Sequence, residues 1–465
     1  MIDPIRRTAL SILNRLERNH HTLDDILDSA VEATPISSRR DRNFIFALTY
    51  GTLRWRGRLD WILDQVSNTP VQRMNPKVRN ILRLGLFQIL FMDRVPKSAA
   101  VNTAVDLTKT VAGPKVSGFV NAVLRNAIRR RETISFPDAA RNPVAALATR
   151  KSFPPWMIER WIEQMGHDET LAMCKTINTI APLTLRTNTL KTDRQALTAA
   201  LQADGEDPQP TPCSPLGLRL TRTNRSVPDL PGFCDGGFQV QDEAAQLVTF
   251  LLDPRPGEKI LDACAGLGGK TGHIAQQMKN TGRITAVDHQ SAKLNRLDQE
   301  MRRLGITIVS PKTVDLNNAS TTTRLGVFDR VLVDAPCSGL GVLRRHPDAK
   351  WRHTTRTFSK MAKRQLQFLD HLAPLVKPGG ILVYAVCSTE PEENERVIKP
   401  FLNNHSNFTV TPATPFLPST ARHLVTPDGY FRTLVHRDQM DGFFAVRFRK
   451  TIDQGNVKVT LKPHN

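Results

Sequence analysis

Residues 258–280 read EKILDACAGLGGKTGHIAQQMKN. An apolar run at Ile260 and Leu261 meets a turn holding Gly266, Gly268 and Gly269, which opens into a helix-forming segment. Strand, glycine turn and helix in that order begin a parallel α/β sheet. Glycines at such a turn let a ligand approach the backbone beside the positive helix N-terminus. Two familiar fingerprints fail on spacing. A P-loop needs a glycine five residues before Gly269, where Cys264 stands, and a dinucleotide turn needs one where Thr271 stands. A plain tight turn stays open as the alternative.

The same alternation continues downstream through GRITAVD (282–288), TIVSPKTVD (307–315), FDRVLVDAP (328–336), GGILVYAV (379–386) and GFFAVRFRK (442–450). It predicts a Rossmann-like α/β domain over 236–450, with a tail at 451–465. Asp288, Asp315 and Asp334 close or follow successive strands, on the rim where such sheets bind ligands. Acids there suit ribose hydroxyls, adenine and an amino-acid ammonium, as S-adenosylmethionine offers, better than a pyrophosphate. On the same rim stand Cys337 and Cys387, each followed by a serine. A lone cytosolic cysteine is more often a small buried hydrophobe. Two Cys-Ser pairs at matching strand ends favour chemistry instead.

N-terminal to this domain the pattern changes. Residues 156–235 read as a small α/β RNA-recognition domain, with LTLRTNTL and LGLRLTR as strands around the helix-like TDRQALTAALQADG. Residues 132–155 carry four prolines and no period, and read as a linker. Residues 1–131 read as all-α. Asp3 and Pro4 open the first helix, and apolar residues then recur at helical spacing, as at Leu23, Ile26, Leu27, Ala30 and Val31. Basic clusters RRDR (39–42), RWRGR (54–58, with Trp55) and RNAIRRR (125–131) suggest contact with a nucleic-acid backbone.

Across 465 residues, 64 Lys and Arg against 44 Asp and Glu give a formal charge of +20, which points to a polyanionic partner. The 6 cysteines include no C-x-x-C pair, so a disulfide framework or zinc ribbon is not expected. With no apolar run of membrane length and no signal-like start, the reading is a cytoplasmic protein, monomeric, with neither metal nor membrane partner.

DAPCSGLG (334–341) with YAVCSTEPEENE (384–395), and FQVQDEAAQL (238–247) before DACAGLGGKT, resemble the RNA cytosine-C5 methyltransferase family. The likeness runs the length of the chain. VSGFVNAVLRN (116–126) is similar to the close of a NusB-like RNA-binding domain, which marks the bacterial small-subunit (16S) rRNA branch of the family. Cytosine C5 is too weak a nucleophile to attack S-adenosylmethionine unaided; a thiolate added at C6 turns the ring into an enamine whose C5 is nucleophilic. The resemblance implies that Cys387 is that nucleophile, that Cys337 assists release, and that Asp334 contacts the cytosine edge near the cofactor. It implies a cofactor site of Cys264, Ala265, Gly266, Leu267, Gly268, Gly269 and Lys270, with Asp288 on the ribose, Asp315 near the adenine, and Asp334. Arg344, Arg345, Lys350 and Arg352 are the expected phosphate clamp. Two departures stand out: the family's Ala-Pro before Gly-Gly-Lys is Gly266-Leu267 here, and its third acidic motif is here VDLNN (314–318). A tRNA methyltransferase and an inactive RNA-binding assembly factor are the rival readings.

Overall fold

The computed structural model describes residues 3–18, 23–32, 38–223 and 225–452, so most of the expected tail lies outside the described residues. Val31 lies in a described helix, but its side chain is outside the description. The chain divides into two compact units, Met1–Ile180 with Leu343–His353, and Ala181–Val342 with Thr354–Asn465.

The first unit is helical, as its spacing predicts. Asp3 caps the helix Pro4–Leu16 by accepting from the amides of Ile5 and Arg6. Helices Arg39–Arg54, Pro76–Phe91 and Pro114–Arg129 bury one apolar core that includes Leu48, Ile81, Leu124 and Ala127. The stretch read as a linker contains the helix Pro143–Lys151, whose Ala146, Leu147 and Ala148 are buried. Its prolines mark a helix start rather than an unstructured crossing: Asn142 caps, and Pro143 takes the first turn, where a missing amide costs nothing.

The RWRGR cluster packs partly inward. Trp55 stacks on Phe91 with ring centroids 4.7 Å apart, Arg58 lies over both rings, and Arg54 is buried. RNAIRRR stays outside, with Arg125, Arg129, Arg130 and Arg131 exposed.

Leu343–His353 belongs to this helical unit although it starts six residues beyond Cys337. Its Lys350, expected on RNA, is fully buried. Nζ donates to Asn178 Oδ1 at 2.8 Å, lies 3.4 Å from the carbonyls of Arg54 and Ser152, and sits 3.7 Å from the Phe153 ring centroid. Burial holds its pKa well below the usual lysine range. Arg344 donates to the Ile180 carbonyl, and Arg352 pairs with Asp348 at 3.1 Å. Lys350→Ala removes these bonds and leaves a void, so it should cost about 3 kcal/mol. Calorimetry should show the helical unit melting roughly 6–12 °C lower.

The second unit holds two sheets. The small one has strands β1 (Leu183–Thr187), β2 (Pro208–Pro210), β3 (Gly217–Leu220) and β4 (Phe238–Val240), antiparallel in the order β2-β3-β1-β4. The strand β4 therefore belongs to the small sheet, although the sequence reading placed 236 onward in the large domain. The large sheet contains β5 (Lys259–Asp262), β6 (Arg283–Asp288), β7 (Val309–Thr313), β8 (Phe328–Asp334), β9 (Val376–Val386), β10 (Phe408–Thr411), β11 (Phe431–Arg432) and β12 (Phe444–Lys450). Its order is β10-β12-β9-β8-β5-β6-β7, with β11 beside β12. Strands β5 to β9 run parallel, as expected, but β12 enters antiparallel beside β9. A final strand needs no helical crossover, so the alternation that signals parallel pairing does not constrain it.

Arg186 on β1 ties the two sheets together. Fully buried, it donates to Gln239 Oε1 (2.7 Å), Gln276 Oε1 (3.1 Å), Gln241 Oε1 and the carbonyl of Gly269 (2.7 Å), at the start of the helix after the glycine turn. Burial, only partly offset by the charge of Glu300, pulls its pKa down to about 9.

Candidate active site

The parallel strands deliver their C-terminal ends to one rim. From β5 the chain enters the turn 263–268 and then the helix Gly269–Gln277. Gly268 caps that helix at φ 86°, and a Cβ there would meet Leu297 Cγ at 2.8 Å, so the position demands glycine on two counts. Below the turn, Asp262 accepts from Thr271 Oγ1 at 2.7 Å, and burial pushes its pKa up to about 6.

A cleft opens beside the turn, lined among others by Cys264, Gly266, Asp288, His289, Asp315, Asp334, Pro336, Arg364 and Phe368. Asp288 Oδ2 accepts the Gly266 amide at 3.2 Å, and its Oδ1 accepts Gln290 N at 2.9 Å, so the acid at the β6 end is fixed by backbone. Asp315, whose motif departs from the family pattern, also lines the cleft, but it is exposed. Its Oδ1 is engaged by Asn317 through N (3.0 Å) and Nδ2 (2.6 Å), which holds its carboxyl below the usual range.

Lys270 and Asp334 form an ion pair at 2.5 Å, with 10% and 28% of their side chains exposed. Burial alone would lower the Lys270 pKa; Asp334, then Cys387, then Asp262 outweigh it and raise it. Cys387 is thus a close electrostatic neighbour of an ammonium whose charge is secured.

Cys337 and Cys387 stand just past the ends of the paired strands β8 and β9, with their sulfurs 3.3 Å apart. Contact with the Cys387 thiol, then burial, then the nearby Glu393 push Cys337 well above the ordinary thiol range. All of the residues singled out on the strand ends therefore gather on one rim, and the two thiols touch.

Sequence reasoning passed over Glu393. Fully buried, it accepts from both serines of the Cys-Ser pairs and from Gln365. It stands inside the quoted PEENE run, where a cluster of acids reads as a solvated turn. The signal available was an acid six residues past Cys387.

Three family models match along the chain: the NusB family over residues 3–129, the ferredoxin-like domain of RsmF/B-like methyltransferases over 153–227, and the 16S rRNA methyltransferase RsmB/F over 249–449. The chain is 37% identical to the probable ribosomal RNA small subunit methyltransferase B of Synechocystis, over 96% of this chain and 99% of that protein. It belongs to the ribosomal RNA small subunit methyltransferase B family. Another probable methyltransferase B, from Bacillus subtilis, is 37% identical over 96% of this chain and 98% of its own. The crystal structure of PH0851 superposes with a TM-score of 0.80 at 28% identity, covering 97% of this chain and 99% of that one. The helical unit, small sheet and large sheet thus follow one another along the chain in the order of the NusB, ferredoxin-like and methyltransferase models.

Proposed function

We propose that this chain transfers a methyl group from S-adenosylmethionine to C5 of a cytosine in small-subunit rRNA, with Cys387 adding to C6. The observation that carries the reading is the pair of thiols 3.3 Å apart on the rim that also holds the Lys270–Asp334 ion pair. Rivals that bind RNA without chemistry have no need of a second thiol there.

The cleft suits the cofactor by its donor set. Asp288 is held by the Gly266 amide, Gly266 brings bare backbone to the cleft, and Asp315, His289 and Phe368 add to the lining. When bound, S-adenosylmethionine supplies an electrophilic methyl group. The chain does the rest. Lys270, whose charge is secured by Asp334, stands near Cys387 Sγ, the atom that adds to C6. Asp334, on the same rim, faces the base edge and helps the ring accept the addition. Cys337, whose thiol keeps its proton, stands beside the Cys387 sulfur that must later leave. Water at the rim takes the C5 proton, the C5–H electron pair reforms the C5=C6 double bond, and Cys387 leaves C6 as a thiolate to release the product in the cytoplasm.

Bisulfite mapping of total RNA from cells with and without the protein tests this. The expected result is one or more small-subunit rRNA cytosines that convert only in its absence. A change confined to tRNA, or none, would overturn the substrate assignment.

Two of the basic clusters present exposed arginines for phosphate contact: Arg40 and Arg42 of RRDR, and the larger group Arg125, Arg129, Arg130 and Arg131. Arg129→Glu with Arg131→Glu should weaken binding of small-subunit rRNA about tenfold at moderate salt. It should also flatten the salt dependence by roughly two phosphate contacts. Filter retention across a salt series gives both numbers, and S-adenosylmethionine affinity serves as the control. Removing residues 1–131 is a poorer test, because Leu343–His353 would lose its packing partners within the helical unit.

A further inference from the structure

The two Cys-Ser pairs leave a question that the cysteines alone do not answer: why serine follows each. Ser338 and Ser388 are buried, and both hydroxyls donate to one oxygen, Glu393 Oε2, at 2.5 Å each. The two hydroxyl oxygens are 3.2 Å apart. The other oxygen, Oε1, accepts the Ser338 amide at 2.8 Å and Gln365 Nε2 at 3.1 Å. Gln365 also donates to the Pro336 carbonyl at 3.0 Å, and Tyr384 OH donates to the Glu393 carbonyl at 2.7 Å. A carboxylate with no exposure is costly to bury unless its lone pairs are filled. Here the donors come from the turn after β8, the turn after β9 and the helix Thr355–Leu372.

The geometry points to Glu393 as a positioning residue: through Ser338 and Ser388 it staples the two strand-end turns in the register that holds the Cys337 and Cys387 sulfurs in contact. In each pair the serine faces the buried carboxylate and the cysteine faces the rim. Two separate loops could otherwise drift by an ångström or more, and a thiol displaced that far from its reacting partner loses orders of magnitude in rate. The staple deepens the proposed cytosine-C5 reading and rests on it only for its catalytic consequence; the sulfur contact itself can be read without RNA.

The experiment therefore measures thiol proximity and turnover side by side. Diamide converts two touching thiols to a disulfide, its N=N bond taking up the two protons and two electrons that the thiols lose. In the parent protein the Cys337–Cys387 crosslink should form rapidly, with alkylation of the exposed Cys234 as an internal control. Glu393→Gln, and separately Ser338→Ala with Ser388→Ala, should slow that crosslink at least fivefold while Cys234 reacts unchanged. In both variants kcat on small-subunit rRNA should fall at least tenfold, with KM for RNA and for S-adenosylmethionine within twofold of the parent. A merely structural role would lower the folded fraction without slowing the crosslink in the folded protein. If Glu393→Gln does not fold, the serine variants, which keep the carboxylate, decide. Parent-like crosslinking in the folded variants, whatever their turnover, overturns the staple. A slowed crosslink in variants of a parent that fails to methylate small-subunit rRNA supports the staple and strikes the functional reading instead.

Discussion

Cys387→Ala should lose methylation by on the order of 10⁴-fold or more, while Cys337→Ala should retain methyl transfer and accumulate an RNA–protein adduct. The asymmetry follows from the roles that the family resemblance implies, since the sulfurs themselves are 3.3 Å apart. Cys387 is the thiol that supports the charge on Lys270, and Cys337 is the one whose proton is held by the neighbouring sulfur, by burial and by Glu393. In the proposed mechanism, attack by Cys387 at C6 needs no help from Cys337, but resolution of the adduct does. Denaturing gel electrophoresis of each variant with RNA and S-adenosylmethionine should show a slowly migrating band for Cys337→Ala only. The double variant should show none. A band with Cys387→Ala and not with Cys337→Ala would exchange the two roles. Parent-like methylation in both single variants would make the cysteines structural.

Asp334→Asn and Lys270→Met should each lower kcat roughly 10²–10³-fold, by removing a charge aimed at the reacting atoms. Each should also cost stability. The pair is only 10% and 28% exposed, and stripping one partner from a largely buried ion pair leaves the other uncompensated, at about 3 kcal/mol. The double variant separates the two effects. With neither charge present, the melting temperature should recover toward the parent, while turnover stays at the level of the worse single variant. Thermal melts and single-turnover methylation on the same preparations check both. Parent-like turnover in Asp334→Asn would remove Asp334 from the chemistry, and a double variant less stable than either single would mean the pair is not what the singles disturb.

Much of this molecule could be read directly from its residues. The class of the large domain follows from the strand–turn–helix unit at 258–280 and the apolar runs after it, because a side-chain period reports how an element is buried. The rim also followed: acids and cysteines placed at strand ends must share one edge of a parallel sheet, and Asp288, Asp334, Cys337 and Cys387 do. Resemblance then supplied roles that spacing could not.

Tertiary structure decided what depends on partners distant in the chain. Lys350 looks like a surface cation beside other basic residues, yet Asn178, 172 positions away, helps to draw its amino group inside. RWRGR looks like an RNA patch, yet Phe91 gives Trp55 a stacking partner and takes part of the cluster inward. Glu393 looks like one acid among several, yet serines 55 and 5 positions away make it the buried acceptor that both cysteine-bearing turns share. Charge and polarity mark a residue as able to meet water, phosphate or a buried dipole alike. Which of these it meets is set by long-range packing, because a buried charge persists only where the fold brings enough donors or acceptors to replace the water it has lost.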